Sequence, residues 1–471
     1  MKKRRDVSVC AGIVAATLCL VEVVWAENIA LAEAGSPIVL AEEGLPSTLE
    51  LRNGRWFDGT QFREATWYVV GRTLTQRPPS SVDERIDLAG GYVVPPFGEA
   101  HNHNVEGPWD IEAVIARYLH DGVFYVKNPN NIWEFTKQIL PLLNKPTGLD
   151  VVFAHAGLTS SGGHPGPLYE DVLREARYRA AIGDVPAGWF NGRGYEVVDD
   201  RSDLDRKWAA ILARKPDFLK VYLVHSERIS KSARSSERPH RKGLDPSLVP
   251  VIVARAHRDG LRVAAHVETA ADFRTALASG IDEIAHMPGW YLEQDEEKSH
   301  VRLTEEAARA AARAGVVVTT TTAAMQPSPS DHDPSAHHAE SRHKPGGHDR
   351  PGHSMVMGDV VWREAERVQA HNLRLLHQHG VRLVIGSDHG ETSLAEARHL
   401  HELGVFDNLT LLKLWCEATP QSIFPGRQIG RLAEGYEASF LVLTENPLDR
   451  FEAVTTIALR VKQGQRLTSG K

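Results

Sequence analysis

The stretch PPFGEAHNHN, residues 95–104, leaves the apolar run GYVV and ends on two histidines one residue apart. On an extended strand, residues i and i+2 point to the same side. His101 and His103 at the mouth of a strand can therefore hold one metal ion between them. A polar turn that happens to contain two histidines is the competing reading, and the rest of the chain has to decide.

Working outward, apolar runs recur with helical stretches between them. The strand candidates are YVVPPF (92–97), GVFYVK (122–127), VVFAHAG (151–157), DFLKVYLV (217–224), RVAAHV (262–267), EIAHM (283–287), GVVVTTTT (315–322) and RLVIGSD (382–388). Helical segments such as DPSLVPVIVARAHRDG and TEEAARAAARAG end at a glycine, as helices often do. Eight such units imply an α/β fold, a (β/α)8 TIM barrel. A doubly wound sheet is the alternative, but no GxGxxG follows the first strand. Residues 47–92 alternate apolar and polar with turn punctuation, and ASFLVLTENP with AVTTIALRVKQGQRL matches them at the other end. The expected organisation is a lead-in at 27–46, one part of a small β-sandwich at 47–92, the barrel at 93–420, and the second part at 421–471.

In such a barrel the chemistry sits at the C-terminal ends of the strands. Those ends carry His101 and His103, Lys220, His266, His286 and Asp388. One histidine after a strand is most simply a hydrogen-bonded core residue. Six metal-compatible groups at strand ends are hard to explain as packing, because burying them without partners is costly.

This order of HxH, Lys, His, His and Asp resembles the amidohydrolase superfamily of metal-dependent hydrolases. AHVETAADFRTALASGIDEIAHMPG (265–289) is similar to its fifth and sixth strands, and IGRLAEGYEASFLVLTENPL (429–448) to its returning β segment. Within the superfamily the chain most resembles imidazolonepropionase-like and Xaa-Pro dipeptidase-like members. The resemblance implies two divalent metal ions, zinc being well suited to the ligands, with manganese, cobalt and iron also compatible. It implies that His101, His103 and Asp388 hold one ion, that His266 and His286 hold the other, and that a carbamylated Lys220 bridges them. A hydroxide bridging the ions would attack the carbonyl, and Asp388 would accept its proton and pass it to the leaving nitrogen.

SSGGHP (160–165) resembles the GGH loop of the dipeptidase-like relatives, which makes His164 a substrate or oxyanion contact. Tyr222, two residues past Lys220 on the same side, is a second substrate contact; its alternative role is barrel packing. The loop after strand four lacks the tyrosine that such relatives place there. It carries instead Arg228, Lys231, Arg234, Arg238, Arg241 and Lys242, a basic run from which one arginine could pair with a substrate carboxylate. Where the family has a PGxxD approach to HxH, this chain has PPFGE, and Glu99 keeps the acidic character. Lys127, His225 and His389 also lie near strand ends, with less to recommend them.

These residues point to hydrolysis of a C–N amide bond in a small molecule, a dipeptide or N-acyl amino acid, as by a metallo-dipeptidase. Cyclic-amide opening is the alternative. A mononuclear deaminase is disfavoured by Lys220, and a catalytically dead metal-binding protein by the complete ligand set. Hydrophobic residues make up 42% of the 471, enough for a large core. The formal net charge of −7 offers no basic excess for nucleic acid. Residues 1–26, a basic start and an apolar run closed by Val24-Trp25-Ala26, read as a secretory signal peptide. The expected location is secreted or periplasmic, with no membrane attachment after cleavage; self-association into a homo-oligomer is left open. Cys416 is expected to be a buried packing residue. Residues 326–354 form a His-rich loop insertion with six histidines, a lid, a weak metal-collecting tract or a solvated excursion.

Overall fold

The computed structural model describes residues 38–39, 48–228, 242–292, 297–326 and 359–469. The leader, Lys231, Arg234, Arg238, Arg241 and all of the His-rich insertion except Gln326 lie outside the described residues. No described helix is long and apolar enough to cross a membrane.

Two parallel sheets carry the centre of the molecule. One joins β7 (Phe97–Glu99), β8 (Val123–Asn128) and β9 (Asp150–Phe153) in that order. The other has β11 (Tyr195–Val197) at its edge, then β10 (Gly157–Thr159), β12 (Leu219–Tyr222), β13 (Val263–His266), β14 (Glu283–Ala285), β15 (Val317–Thr319) and β16 (Arg382–Val384). Backbone hydrogen bonds link the two sheets. The Ala100 N–H donates to Ile385 O at 2.9 Å, and the Asp388 N–H to His101 O at 2.8 Å. At the other side, the Asp217 N–H donates to Phe153 O at 2.8 Å. Phe124, Val126, Leu158, Leu219, Val221 and Ile284 are among the residues buried in the main core.

Residues 92–97, expected as one strand, are split. Tyr92–Val94 is β6 of a different sheet, and β7 begins only at Phe97. Pro95 and Pro96 lie between them, and proline has no N–H to give a ladder. The run 151–157 divides similarly, with His155 at a φ of +59° between β9 and β10.

Strands from both chain ends, the parts expected to make the small β-sandwich, pair in one nine-stranded sheet. Its order is β1 (Ile38–Val39), β19 (Gln465–Ser469), β18 (Ile457–Lys462), β17 (Phe440–Leu443), β6, β2 (Thr48–Phe57), β3 (Phe62–Val70) and β4 (Thr73–Thr75). The short β5 (Glu84–Asp87) pairs with β2. The sheet has its own apolar cluster, with Trp56, Trp67, Val93, Phe440 and Val461 buried in it. β1 falls inside the stretch expected to be loose.

The helices begin and end as their caps dictate. Thr269 caps Ala270–Ala278 in a reciprocal capping box with Asp272. Thr304 caps the alanine-rich helix Glu305–Ala314, and Gly315, at a φ of +65°, ends it. Asp272 also accepts from the backbone N–H groups of His225 and Ser226. That carboxylate therefore ties the end of β12 to the helix that follows β13.

Candidate metal centre

One pocket collects the polar strand ends. It is lined by His101, His103, Lys220, His266, His286 and Asp388, and also by His164 and Tyr222. All eight candidate site residues named from the sequence thus meet in one place. The pocket together with the open space at its mouth spans about 480 Å³.

His101 and His103 follow β7. Glu99, at the end of that strand, is wholly buried and accepts from the backbone N–H of His101 at 3.2 Å. It also accepts from the N–H and hydroxyl of Ser387, at 2.8 and 2.7 Å. Burial pushes its carboxyl up to about 8. Glu99 is not among the pocket's lining residues; it fastens the segment bearing His101 to the segment bearing Asp388. His103 Nδ1 lies 3.0 Å from Asn130 O. A carbonyl only accepts, so Nδ1 carries the proton and Nε2 keeps its lone pair. That Nε2 is 3.5 Å from Asp388 Oδ1.

Asp388 stands at the centre, at a φ of +46°. Its Oδ2 is 3.8 Å from His101 Nε2 and 3.8 Å from His286 Nδ1. His101, His286 and Asp388 each offer a donor atom within 4.8 Å of the others. This group takes members from both of the expected ligand sets. His266 comes in from β13, its ring 4.6 Å from that of His286. His286 Nδ1 is 3.0 Å from the hydroxyl of Thr321. Burial pulls His101, His266 and His286 well below the usual imidazole range, and nearby cationic groups, Lys220 among them, add to the shift. Neutral imidazole is the form that ligates.

Lys220 projects from β12 with 1% of its surface exposed. Its Nζ has no hydrogen-bond partner among the described residues. Burial lowers the amine to about 7, against the pull of Asp388 and Glu283 in the other direction. His164 stacks on His266 at 4.8 Å and meets Tyr222 edge-on at 5.2 Å. Its backbone N–H donates to Lys242 O at 2.9 Å. Burial takes His164 down to about 3.

Other expected neighbours lie elsewhere. Lys127 is buried in an ion pair with Glu283, its Nζ 4.4 Å from the Phe218 ring centroid. His225 is held between Glu227 at 3.3 Å and Glu268 at 3.5 Å. His389 presents its backbone carbonyl to Asn102. Arg228 is 3.5 Å from Glu227 and does not line the pocket. Cys416 is buried and free, and burial pushes its thiol up. Missed from the sequence were Asn130, Pro165, Leu168, Tyr169 and Trp290, which also line the pocket, and Thr321 behind it. Of these Pro165 closes the quoted stretch SSGGHP beside His164, and Trp290 stands two residues past Pro288 in a strand-end loop; the others carried no signal.

The donor set fits divalent metal. Four imidazoles and a carboxylate surround a buried amine that lacks a hydrogen-bond partner, and no ordinary packing role satisfies that amine.

Residues 238–466 match the amidohydrolase family. His266, His286 and Asp388 fall within the match; His101, His103 and Lys220 join them through the fold. No curated protein matches the chain by sequence. Among solved structures, a crystal structure of an amidohydrolase superposes with a TM-score of 0.65 at 20% identity, covering 90% of this chain and 99% of that one. A prolidase complexed with N-methylphosphonate-L-proline gives 0.63 at 19% identity, covering 90% and 100%. A Xaa-Pro dipeptidase with methionine bound in its active site gives 0.62 at 17% identity, covering 90% and 100%. Residues 238–466 are thus similar to the amidohydrolase family, and the solved structures that share the chain's fold include an amidohydrolase and prolidase-like proteins.

Proposed function

We propose that the protein is a metal-dependent hydrolase that cleaves the C–N bond of a small amide, a dipeptide or N-acyl amino acid. The observation that carries this reading is the buried, partnerless amine of Lys220 amid imidazoles drained of protons and Asp388. The two central sheets are read as one closed (β/α)8 barrel, with β9 and β10 as a single broken strand. The hydrogen bonds from Ala100 to Ile385 and from Asp217 to Phe153 support closure at both seams. The nine-stranded sheet is then the second domain.

His101, His103, His266, His286, Lys220 and Asp388 are the residues that would hold two divalent ions. Bound there, such ions supply Lewis acidity and a water that ionises near neutral pH. The chain supplies the rest. A Lys220 amine that is substantially neutral near pH 7 can attack CO2, forming an N–C bond and releasing one proton. The resulting carbamate has the oxygens that an amine lacks. Asp388 takes the proton from the attacking water and returns it to the leaving nitrogen. His164, held neutral, can donate a ring N–H to the amide oxygen. The dipeptidase- and prolidase-like neighbours support a dipeptide or N-acyl amino acid as the substrate.

A hydrolysis screen of the zinc-loaded protein on N-acyl amino acids, dipeptides and cyclic amides tests this. Turnover of the first two classes is expected, with Asp388→Asn at least ~100-fold slower. No cleavage in any class, or near-normal turnover by Asp388→Asn, would contradict it.

A further inference from the structure

The centre described above occupies only part of the pocket. Beyond the centre the wall is made by Asn130 and His164, and by Pro165, Leu168, Tyr169, Tyr222 and Trp290. Among the described residues, the only side chains bearing formal charge on the lining are Lys220 and Asp388, and both belong to the centre. Pro165 and Leu168 have no side-chain hydrogen-bonding atoms. The indole N–H of Trp290 is already given to Val267 O at 3.2 Å. Its ring stacks on His286 at 4.7 Å, while Tyr222 lies 5.4 Å from His266. The apolar wall thus begins directly beside the reacting centre.

This wall is also preformed. Leu168 and Tyr169 open the π-helical segment Leu168–Tyr178, whose inner side packs with Ile132, Phe135 and Phe190. Glu170 pins the segment by accepting from the backbone N–H of Gly188 at 3.1 Å and from the Tyr195 hydroxyl at 3.1 Å. A rigid wall binds without an ordering cost. Water lying against Pro165, Leu168 and the aromatic ring faces finds few polar partners there, so an apolar group that displaces that water gains affinity.

We propose that this wall is a subsite for a bulky apolar or aromatic group carried by the substrate amide, and that small or charged side chains are selected against. The proposal rests on the amide-hydrolase reading of the centre and adds the substrate's side-chain class. Tyr222, named from the sequence as a substrate contact, becomes part of that wall.

The test uses the zinc-loaded full chain and three compounds: N-acetyl-L-phenylalanine, phenylacetylglycine and N-acetylglycine. Affinity is measured by calorimetry under conditions of slow turnover, and kcat/KM separately. At least one aromatic compound should bind ~10-fold or more tightly than N-acetylglycine, with the same order in kcat/KM. Leu168→Ala should shrink that ratio severalfold, and Leu168→Phe should shift the preference toward the smaller compound. If neither variant folds, the comparison in the unsubstituted protein still decides. Tight aromatic binding with no hydrolysis would leave the subsite standing and remove the amidase reading. Equal affinity for all three would overturn the subsite, whatever the turnover.

Discussion

Thr321 illustrates how much of this site is set by single side chains. It is a β-branched residue held at a φ of +47°, a conformation that such residues rarely adopt. Such strain persists only where the surroundings impose it. Here the Thr321 N–H donates to Gly386 O, and the next two N–H groups donate to the buried carboxylate of Glu396. The result places the Thr321 hydroxyl 3.0 Å from His286 Nδ1. Thr321→Val keeps the shape and removes that contact. It should weaken zinc retention ~10-fold or more, the usual scale for a partner behind a ligand, while Thr321→Ser should retain most of it. Zinc competition with a chromophoric chelator measures this; equal retention in the two variants would detach Thr321 from the centre. None of this was legible in GVVVTTTT, where four successive threonines look alike until the strand's end is known. His101, His103, His266, His286 and Asp388 were legible because each closes or follows an apolar run whose end the pattern marks, and Lys220 because a lysine stands inside the apolar run DFLKVYLV.

At the scale of elements, the approach of β7 to the segment after β16 sets the centre's geometry. Gly386 makes that approach possible. A Cβ there would stand 2.7 Å from the backbone nitrogen of His101 and 2.6 Å from the Thr319 methyl. A backbone atom cannot swing aside, so Gly386→Ala should cost about 1–3 kcal/mol through overpacking. It should also loosen zinc, because His101 must move. Thermal unfolding with and without zinc checks both effects, and unchanged values would mean that the strands separate freely. The repeating strand–helix order was readable from apolar periodicity. The split at Pro95-Pro96 was signalled by the prolines, yet the continuous run YVVPPF obscured it. The wall built from Leu168 and Tyr169 was not readable at all. It depends on how a loop after β10 folds back over the pocket, and loop geometry leaves no periodic trace.

At the scale of the whole molecule, the nine-stranded sheet is fastened to the central strands by a buried charge cluster. Lys462 on β18 is fully buried and donates to Asp150 Oδ1 on β9 at 2.6 Å and to Gly148 O at 2.6 Å. Arg427 reaches the other oxygen of Asp150 at 2.8 Å. Lys462→Met should destabilise the protein by about 3 kcal/mol, the low end for a broken buried pair because Arg427 still neutralises Asp150. Denaturant unfolding reads this; no loss would show that the joint is dispensable. The pH dependence is also a global property. His155 and His399, remote from the ligand set, are each lowered by burial from 6.5 to about 4. Their neutral forms are favoured in the fold, so unfolding takes up protons in that window. The contribution of these two histidines should be complete above pH 6.5 and fall as the pH drops toward 4. His399→Gln should flatten the slope by up to one proton, about 1.4 kcal/mol per pH unit. An unchanged slope would contradict the burial assigned to His399. The central claim is that six side chains from five strands form one metal centre. Elemental analysis of the chelator-stripped protein after equilibration with zinc tests it most directly. The account requires about two zinc ions per chain, with Asp388→Ala and Lys220→Met each holding fewer. Protein that returns from zinc without stoichiometric metal, while still folded, would contradict it.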